Sequence, residues 1–559
     1  MLSRKALGTA FVIALMSTTI PAAQATLFPG FPADSDVQAL TIQDHLDNYF
    51  SVISNVPVND AVRNLGALET PESTKFCDEF NAHGCNLDAS AWLSIDSILP
   101  VCATKIENCI KNLEFVNADG SVITAKFDRY FKGKTFEAPS ELGMPGGSRV
   151  SLWSASGVGA SGATDKFVVN THLSWEYKGG QTSVQAFGAS VYAVSLEQDS
   201  RYKDSGIVFG PMVDELKGGS TRYGSVTDSG EINFDGSCVA VEAGLCAKRI
   251  DFPANTRLRL SLTLSNKVTG WLHGRISKPE ISVNPINQMF NDLKVTADVV
   301  DVPMMYAQYK KSEVSETFTA GTKYNWQGRG NAVTSFYRQY PPESQFAMTA
   351  ISTLAESVKN TAAEVHTFWN VASIGTNSSN KCLTDTTRLL GFVTTNAMAY
   401  SGNAPTWNGE SLEYKVSGLH FLPDGKSLTY GTYDLAMRSD AARCLYGFSN
   451  APISASISVT GQDGEQKVAT TVVNEKDGWL YLAAYGFTFS APTVRVKLSQ
   501  TPVQPPVQSV PTVSTPTTPV VVAKPQTKPK VISIKCSNGK AVKIVSGAKP
   551  VCPKGYKQK

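Results

Sequence analysis

The sequence has few histidines and lacks the short motifs that mark common hydrolytic centres. Neither a Gly-x-Ser-x-Gly nucleophile elbow nor a His-Glu-x-x-His zinc motif occurs in the 559 residues. The six histidines lie far apart in sequence, so no two of them can bind a metal from one helical turn. Phosphate-cradling glycine loops and serine–lysine signatures are also missing. We therefore predict no catalytic residue, no metal site and no cofactor.

Acidic residues are absent from the last part of the chain. Residues 501–559 hold ten lysines and no aspartate or glutamate, whereas residues 26–500 carry a net charge of −9. An acidic body would be repelled by nucleic-acid phosphates, so we predict no nucleic-acid partner. A basic tail on an acidic body predicts an anionic partner for the tail.

Long apolar runs are missing as well. No stretch approaches the roughly 18 apolar residues that cross a bilayer, so we predict no transmembrane helix. Residues 1–25 contain Arg4 and Lys5, a short apolar core and the small-residue cleavage motif Ala23-Gln24-Ala25. This combination is typical of a secretory signal peptide. We expect an exported mature chain that begins at Thr26. The alternative is an uncleaved membrane anchor.

The ten cysteines fall into groups that are local in sequence. An even number of cysteines in an exported chain predicts disulfides. The expected pairs are Cys77 with Cys85, Cys102 with Cys109, Cys238 with Cys246, Cys382 with Cys444, and Cys536 with Cys552. The alternative is a metal site built from Cys77, His83, Cys85, Cys102 and Cys109, but the Cys-x-x-Cys spacing of structural zinc sites is absent.

The body of the chain shows the patterns of β-structure. Asp-Gly dipeptides recur, as at Asp119-Gly120 and Asp463-Gly464, and they suit tight hairpin turns. In residues 257–265 leucine alternates with Arg, Ser or Thr, which predicts a strand with one buried face. We therefore predict a mainly β, multi-domain protein made of sandwich-like modules.

Two segments depart from this β pattern. In residues 342–370 apolar side chains recur at steps of three and four, which predicts a long amphipathic helix between the modules. Residues 36–53 predict a shorter helix. The tripeptide Gly-Trp-Leu occurs at residues 270–272 and again at 478–480, which hints at a duplicated module.

Composition divides the chain into six regions. Residues 501–531 are rich in Pro, Thr and Val, and such a segment favours extended polyproline II and can act as a spacer. The predicted regions are a signal peptide (1–25), an N-terminal β-rich region (26–285), a connecting region (286–375) with a helix at about 342–370, a C-terminal β-sandwich (376–500), the Pro/Thr-rich linker (501–531) and a basic tail (532–559).

The tail carries a recognisable pattern, which reads C-x-x-G-K, a Lys-Val stretch and then P-x-C-P-x-G-Y-K. It is formed by Cys536, Gly539, Lys540, Lys543, Val545, Gly547, Pro550, Cys552, Pro553, Gly555, Tyr556 and Lys557. With its linker, the tail resembles the C-terminal tail of secreted and cell-surface proteins of actinobacteria. The resemblance covers about sixty residues and implies a location at the cell surface, not an activity. It does not extend to the body.

Two functional classes remain open from the sequence. The first is a non-enzymatic protein of the cell envelope, acting in adhesion, envelope structure or ligand binding. Its tail would bind anionic envelope polymers or glycans through Lys535, Lys540, Lys543, Lys549, Lys554, Lys557 and Lys559. The second is a secreted hydrolase of glycans or peptides whose catalytic acids share no local motif.

Aromatic residues offer one further candidate for ligand binding. Trp175 and Tyr177 lie on one face of an expected strand, where outward-facing rings would suit stacking against sugars. The alternative, that both rings face the core, is the commoner arrangement for aromatic residues in strands.

Overall fold

The computed structural model describes the chain with several gaps. The described residues are 37–44, 51–55, 75–82, 84–104, 107–158, 164–200, 238–242, 244–316, 318, 337–340, 342–460, 466–467, 470–489, 493–500, 532–537, 542–547, 552, 554 and 556–558. The signal peptide and the linker predicted from sequence lie outside them. The chain forms two compact units, Met1–Thr501 and Pro502–Lys559. The prediction of a mainly β protein is confirmed, because strands dominate both units.

The strands are numbered in chain order through both units. In the first half of the chain they are β1 (Val37–Ile42), β2 (Val52–Asn55), β3 (Lys75–Cys77), β4 (Trp92–Ile98), β5 (Cys109–Val116), β6 (Val122–Thr124), β7 (Lys126–Tyr130), β8 (Ser151–Ser154), β9 (Lys166–Lys178), β10 (Gln181–Gln198), β11 (Cys238–Glu242), β12 (Leu245–Ile250), β13 (Arg257–Ser265), β14 (Gly270–Arg275), β15 (Ser277–Pro285) and β16 (Phe290–Asp298). The remaining strands are β17 (Val300–Lys310), β18 (Tyr337–Tyr340), β19 (Glu364–Ile374), β20 (Leu389–Thr395), β21 (Ala399–Tyr400), β22 (Thr406–Trp407), β23 (Leu412–Ser417), β24 (Tyr430–Arg438), β25 (Ile453–Thr460), β26 (Gln466–Lys467), β27 (Thr470–Lys476), β28 (Trp479–Thr488), β29 (Thr493–Gln500), β30 (Ile532–Ser537), β31 (Val542–Gly547) and β32 (Lys557–Gln558). Helices α1 (Gln345–Leu354) and α2 (Ser439–Tyr446) interrupt them.

One long sheet organises the larger unit. Its strands pair in the order β3-β2-β4-β9-β10-β19-β14-β20-β24-β28-β27, and every pair is antiparallel except β14 with β20. The hairpin of β9 and β10 turns at Gly179-Gly180, where both glycines have positive φ. The sequence divided residues 26–500 into an N-terminal, a connecting and a C-terminal region. Strands from all three regions share this one sheet.

Two smaller sheets cover opposite faces of the long sheet. Strands β6-β5-β13-β16-β15 form one cover, and their apolar residues share a core with Trp479 and Phe392. Strands β23, β29 and β25 form the other cover, and the apolar residues of these strands share a core with Trp271 and Val393. Strand β20 lies between the two cores and is buried along its whole length, so it shows no alternation of apolar and polar residues.

The repeated Gly-Trp-Leu does not mark two equivalent modules. Trp271 stands level with Gly391, then with Met437 and then with Leu480 across strands β14, β20, β24 and β28. Residues that are level across a sheet share one face, so Trp271 corresponds to Leu480 and not to Trp479. The two tryptophans therefore lie on opposite faces of one sheet, in different cores.

The predicted long helix over 342–370 is wrong. Only Gln345–Leu354 is α-helical, with the Ser344 side chain capping its first turn. Lys359 and Asn360 both have positive φ, which ends the helical path. Residues Glu364–Ile374 form β19 in the middle of the long sheet, because β-branched and aromatic residues fit a pleated, half-buried surface.

The shorter predicted helix over 36–53 is also wrong where the structure describes it. Val37–Ile42 forms β1, which pairs with β17 and β18. Val52–Asn55 forms β2, and residues 45–50 lie outside the described residues. Strand pairing with distant segments has overridden the local pattern.

The five predicted disulfides are confirmed. Every cysteine is paired as the sequence predicted, and the long loop is the one closed by Cys382 and Cys444. In the chain-entropy model a loop of that length contributes about 4 kcal/mol and the short loops less. Within the described residues no helix is long and apolar enough to cross a membrane.

Candidate functional site

The C-terminal unit contains a small antiparallel sheet closed by a disulfide. Strand β30 lies between β31 and β32, and Cys536 in β30 is joined to Cys552. The Cys536 side chain is fully buried, so the disulfide lies inside this small sheet. A fold of this size cannot bury much apolar surface, and the covalent link supplies part of its stability.

The described lysines of the tail lie at its surface. Lys535, Lys554 and Lys557 have exposed side chains. Lys543 belongs to β31, where it stands opposite Cys536 in the register. Three further lysines of the predicted envelope-binding set lie outside the described residues, namely Lys540, Lys549 and Lys559.

The structure does not present the predicted sugar-stacking pair to solvent. Trp175 is fully buried, and its indole N–H donates to Ser97 Oγ over 2.9 Å. Tyr177 is also buried, in the same core. Rings that are enclosed in the core cannot stack against a sugar. Both residues therefore have the alternative orientation, in which the ring faces the core.

No set of thiolate ligands remains for a metal. The four cysteines of the alternative zinc site form the disulfides Cys77–Cys85 and Cys102–Cys109, and His83 lies outside the described residues. Elsewhere in the described chain, Asp199 lies close to the sulfurs of Cys238 and Cys246. Those two sulfurs are bonded to each other, so they are not thiolates and do not bind a metal as such.

A second group of residues, the acidic cluster, lies in the larger unit. The cluster comprises Asp251, Asp301, Glu364 and His366, where the end of β12 approaches β17 and β19. His366 Nδ1 lies 3.7 Å from Asp251 Oδ1, and His366 Nε2 lies 3.1 Å from Glu364 Oε2. Thr367 separates the two aspartates. Its N–H donates to Asp251 over 2.8 Å, and Asp301 stands opposite it in the β17–β19 register.

The two aspartates of the acidic cluster have pKa values that move in opposite directions. Burial alone would raise the pKa of Asp251, but hydrogen bonds from His366 and from the Thr367 backbone lower that pKa to about 2. Burial, followed by the charge of Asp251, raises the pKa of Asp301 above its ordinary value. Both aspartates are exposed, so solvent screens them and limits these shifts.

Sequence reasoning missed the acidic cluster because its members are distant in the chain. Asp251, Asp301 and Glu364 are brought together only by the pairing of β19 with β17 and by the path of the chain after β12. No local spacing among the 48 acidic residues marks these three. Strand pairing is the information that the sequence alone did not supply.

The comparisons with known proteins identify no relative. No family model matches the chain, and neither a curated protein nor a solved structure matches it.

Proposed function

We propose that the chain is an exported, non-enzymatic protein of the cell envelope, held on anionic polymers by its C-terminal unit. The observation that carries the proposal is the separate, disulfide-closed unit whose described lysines Lys535, Lys554 and Lys557 are all exposed. The segment 501–559 holds no acidic residue that could pair with them. The signal-peptide pattern and the five disulfides support export.

The strength of such binding depends on how many lysines reach the polymer. Near an anionic surface each lysine contributes about 1 kcal/mol, and the contribution decays over a Debye length of about 8 Å at physiological salt. Several lysines acting together therefore suffice for retention that is sensitive to salt.

Truncation after Gln500 is expected to release the protein from cells. The truncated chain loses Cys536 and Cys552 together, so no unpaired cysteine remains and the other four disulfides are unaffected. The measurement compares cell-associated with released protein for the full and truncated chains across a salt series. We expect salt to elute the full chain and the truncated chain to be free at every salt concentration.

The thermal unfolding midpoint of the truncated chain serves as the control for the integrity of the body. A truncated chain that keeps its unfolding midpoint and still remains on cells as firmly as the full chain would contradict the proposal.

A secreted hydrolase is the second candidate, and the acidic cluster is the observation that favours it. Asp251 and Asp301, which lie on either side of Thr367, are the two carboxyls that would act there. General acid catalysis contributes about 10²–10⁴-fold, so Asp301→Asn should lower the release of reducing ends from envelope glycans by that factor. Asp385→Asn, which removes a surface ion pair with Arg388, is the matched control. A full chain that releases no product, or an Asp301→Asn variant as active as the control, excludes this candidate.

A further inference from the structure

The register of the C-terminal sheet assigns the described strand lysines to faces. Ser537 pairs with Lys557 on β32, and Lys535 precedes Ser537 by two residues on β30. Residues that are level across a sheet, or two apart along a strand, share one face. Lys535, Ser537 and Lys557 therefore share a face, which we call the lysine face.

The opposite face of this sheet is the one that contains the disulfide. Cys536 lies between Lys535 and Ser537 in the strand, so it points away from the lysine face, and it is fully buried. Lys535 and Lys557 are diagonal neighbours, for which the Cβ separation is about 7–8 Å. Both side chains are exposed. The lysine face thus presents two exposed lysines as diagonal neighbours, with Ser537 level with one of them.

The type of cation restricts the type of anion. Residues 501–559 contain ten lysines and no arginine. Arginine provides a planar fork that recognises a carboxylate or a phosphate through two parallel hydrogen bonds, whereas lysine acts as a point charge and is a common ligand for phosphate. A surface built only from lysine therefore binds by charge and not through a bidentate fork, which suits the spaced phosphates of a polymer.

We propose that the lysine face docks onto a linear polymer whose repeating unit carries a phosphate. This inference rests on the proposed function and names the partner and the contact surface for the same unit. Binding displaces the counterions of the polymer, so affinity falls steeply as salt rises. Each phosphate contacted adds about 0.7–0.9 to the steepness of the plot of log affinity against log salt concentration.

The test uses the full chain and long-chain inorganic polyphosphate as the probe. Lys535→Gln/Lys557→Gln removes two charges from the lysine face, and Lys524→Gln/Lys528→Gln removes two charges from the linker. Both variants have the same net charge. The expected result is that the first variant lowers the slope of log affinity against log salt by about 1.4–1.8 and that the second lowers it by less than half as much. Resistance of Cys536 and Cys552 to thiol labelling verifies that the disulfide has formed, and an unchanged rate of its reduction by dithiothreitol verifies that the sheet still encloses it.

The outcomes separate this inference from the proposed function. Equal effects of the two double variants would mean that net charge acts without a docking face, which overturns the inference even if truncation releases the protein from cells. Equal affinity of the full chain for polyglutamate of matched length would overturn the phosphate preference. Retention of the chain truncated after Gln500 would instead overturn the proposed function itself.

Discussion

Replacing Arg275 by methionine is expected to lower the free energy of unfolding by about 3–5 kcal/mol, because it leaves the carboxylate of Asp44 buried without its partner. The side chain of Arg275 is 1% exposed and that of Asp44 is 9% exposed. Two parallel hydrogen bonds join them, from Nε to Oδ1 and from Nη2 to Oδ2, each 2.8 Å long. Removal of one member of such a pair costs far more than removal of a surface charge.

Arg275 also links segments that are distant in sequence. Its Nη1 donates to the carbonyl oxygens of Thr395 and Ala397 over 3.1 and 2.6 Å, and its guanidinium lies 4.5 Å from the ring centroid of Tyr400. The segment that follows β1 and the segment that follows β20 are therefore both attached to one side chain on β14. The loss of these contacts adds to the effect of the unpaired carboxylate.

Arg388→Met is the matched control for this substitution. Arg388 forms ion pairs with Asp385 and Asp440, but its side chain is 42% exposed. Exposed pairs contribute about 0–1 kcal/mol, so the control should shift the denaturation midpoint only slightly. Equal losses for the two variants in urea unfolding would show that burial of the Arg275 pair has no special effect.

Gly391→Ala is expected to destabilise the chain by about 1–3 kcal/mol, because the added methyl group would overlap the ring of Trp271. A Cβ atom at Gly391 would overlap Trp271 Cζ3, well inside van der Waals contact. Trp271 is level with Gly391 in the β14–β20 pairing, is 2% exposed, and donates its indole N–H to the Leu383 carbonyl. The ring therefore cannot move aside without breaking that hydrogen bond.

A double-mutant cycle separates this overlap from a general effect of alanine in a strand. Trp271→Ala alone should cost about 3–5 kcal/mol through the cavity that it leaves. Gly391→Ala should then cost little in the Trp271→Ala background, since the ring that it would overlap is gone. If Gly391→Ala has the same effect with and without Trp271, the close contact is not the cause.

The sequence correctly predicted the buried leucines of β13 and the disulfides between nearby cysteines, because both depend on residues that are close in the chain. The leucines at 258, 260, 262 and 264 are all buried in β13, as their alternation predicted, because that strand has one face in a core. Cysteines close in sequence form the predicted pairs because the chain turns back within a few residues. Both predictions required only the identity of residues that are close in sequence.

The errors arose where distant strands decide the conformation. Residues 364–374 have a helical spacing of apolar side chains, yet they form β19 between β10 and β14. The sequence left two orientations open for Trp175 and Tyr177, and only the covering sheet decides that both rings are buried. The candidate sites show the same limit, because the sequence identified the lysines while only the register of β30 and β32 assigned Lys535 and Lys557 to one face.

One buried carboxyl lies at the junction between β15 and the long sheet. At this junction the buried carboxyl of Asp434 accepts hydrogen bonds from Tyr485 and from Thr394, and Ser277 lies within 3.4 Å at the start of β15. Burial raises the pKa of Asp434 to about 6, against the hydrogen bonds from Tyr485 and Thr394, which lower it. In the unfolded chain the carboxyl of Asp434 has the ordinary pKa of 3.8. The bound proton therefore contributes fully to the free energy of unfolding below pH 3.8, and this contribution is lost as the pH rises through about 6. Acidification is therefore expected to stabilise the folded chain through the Asp434 carboxyl, and neutral pH is expected to remove that stabilisation, by the gain or loss of a single proton.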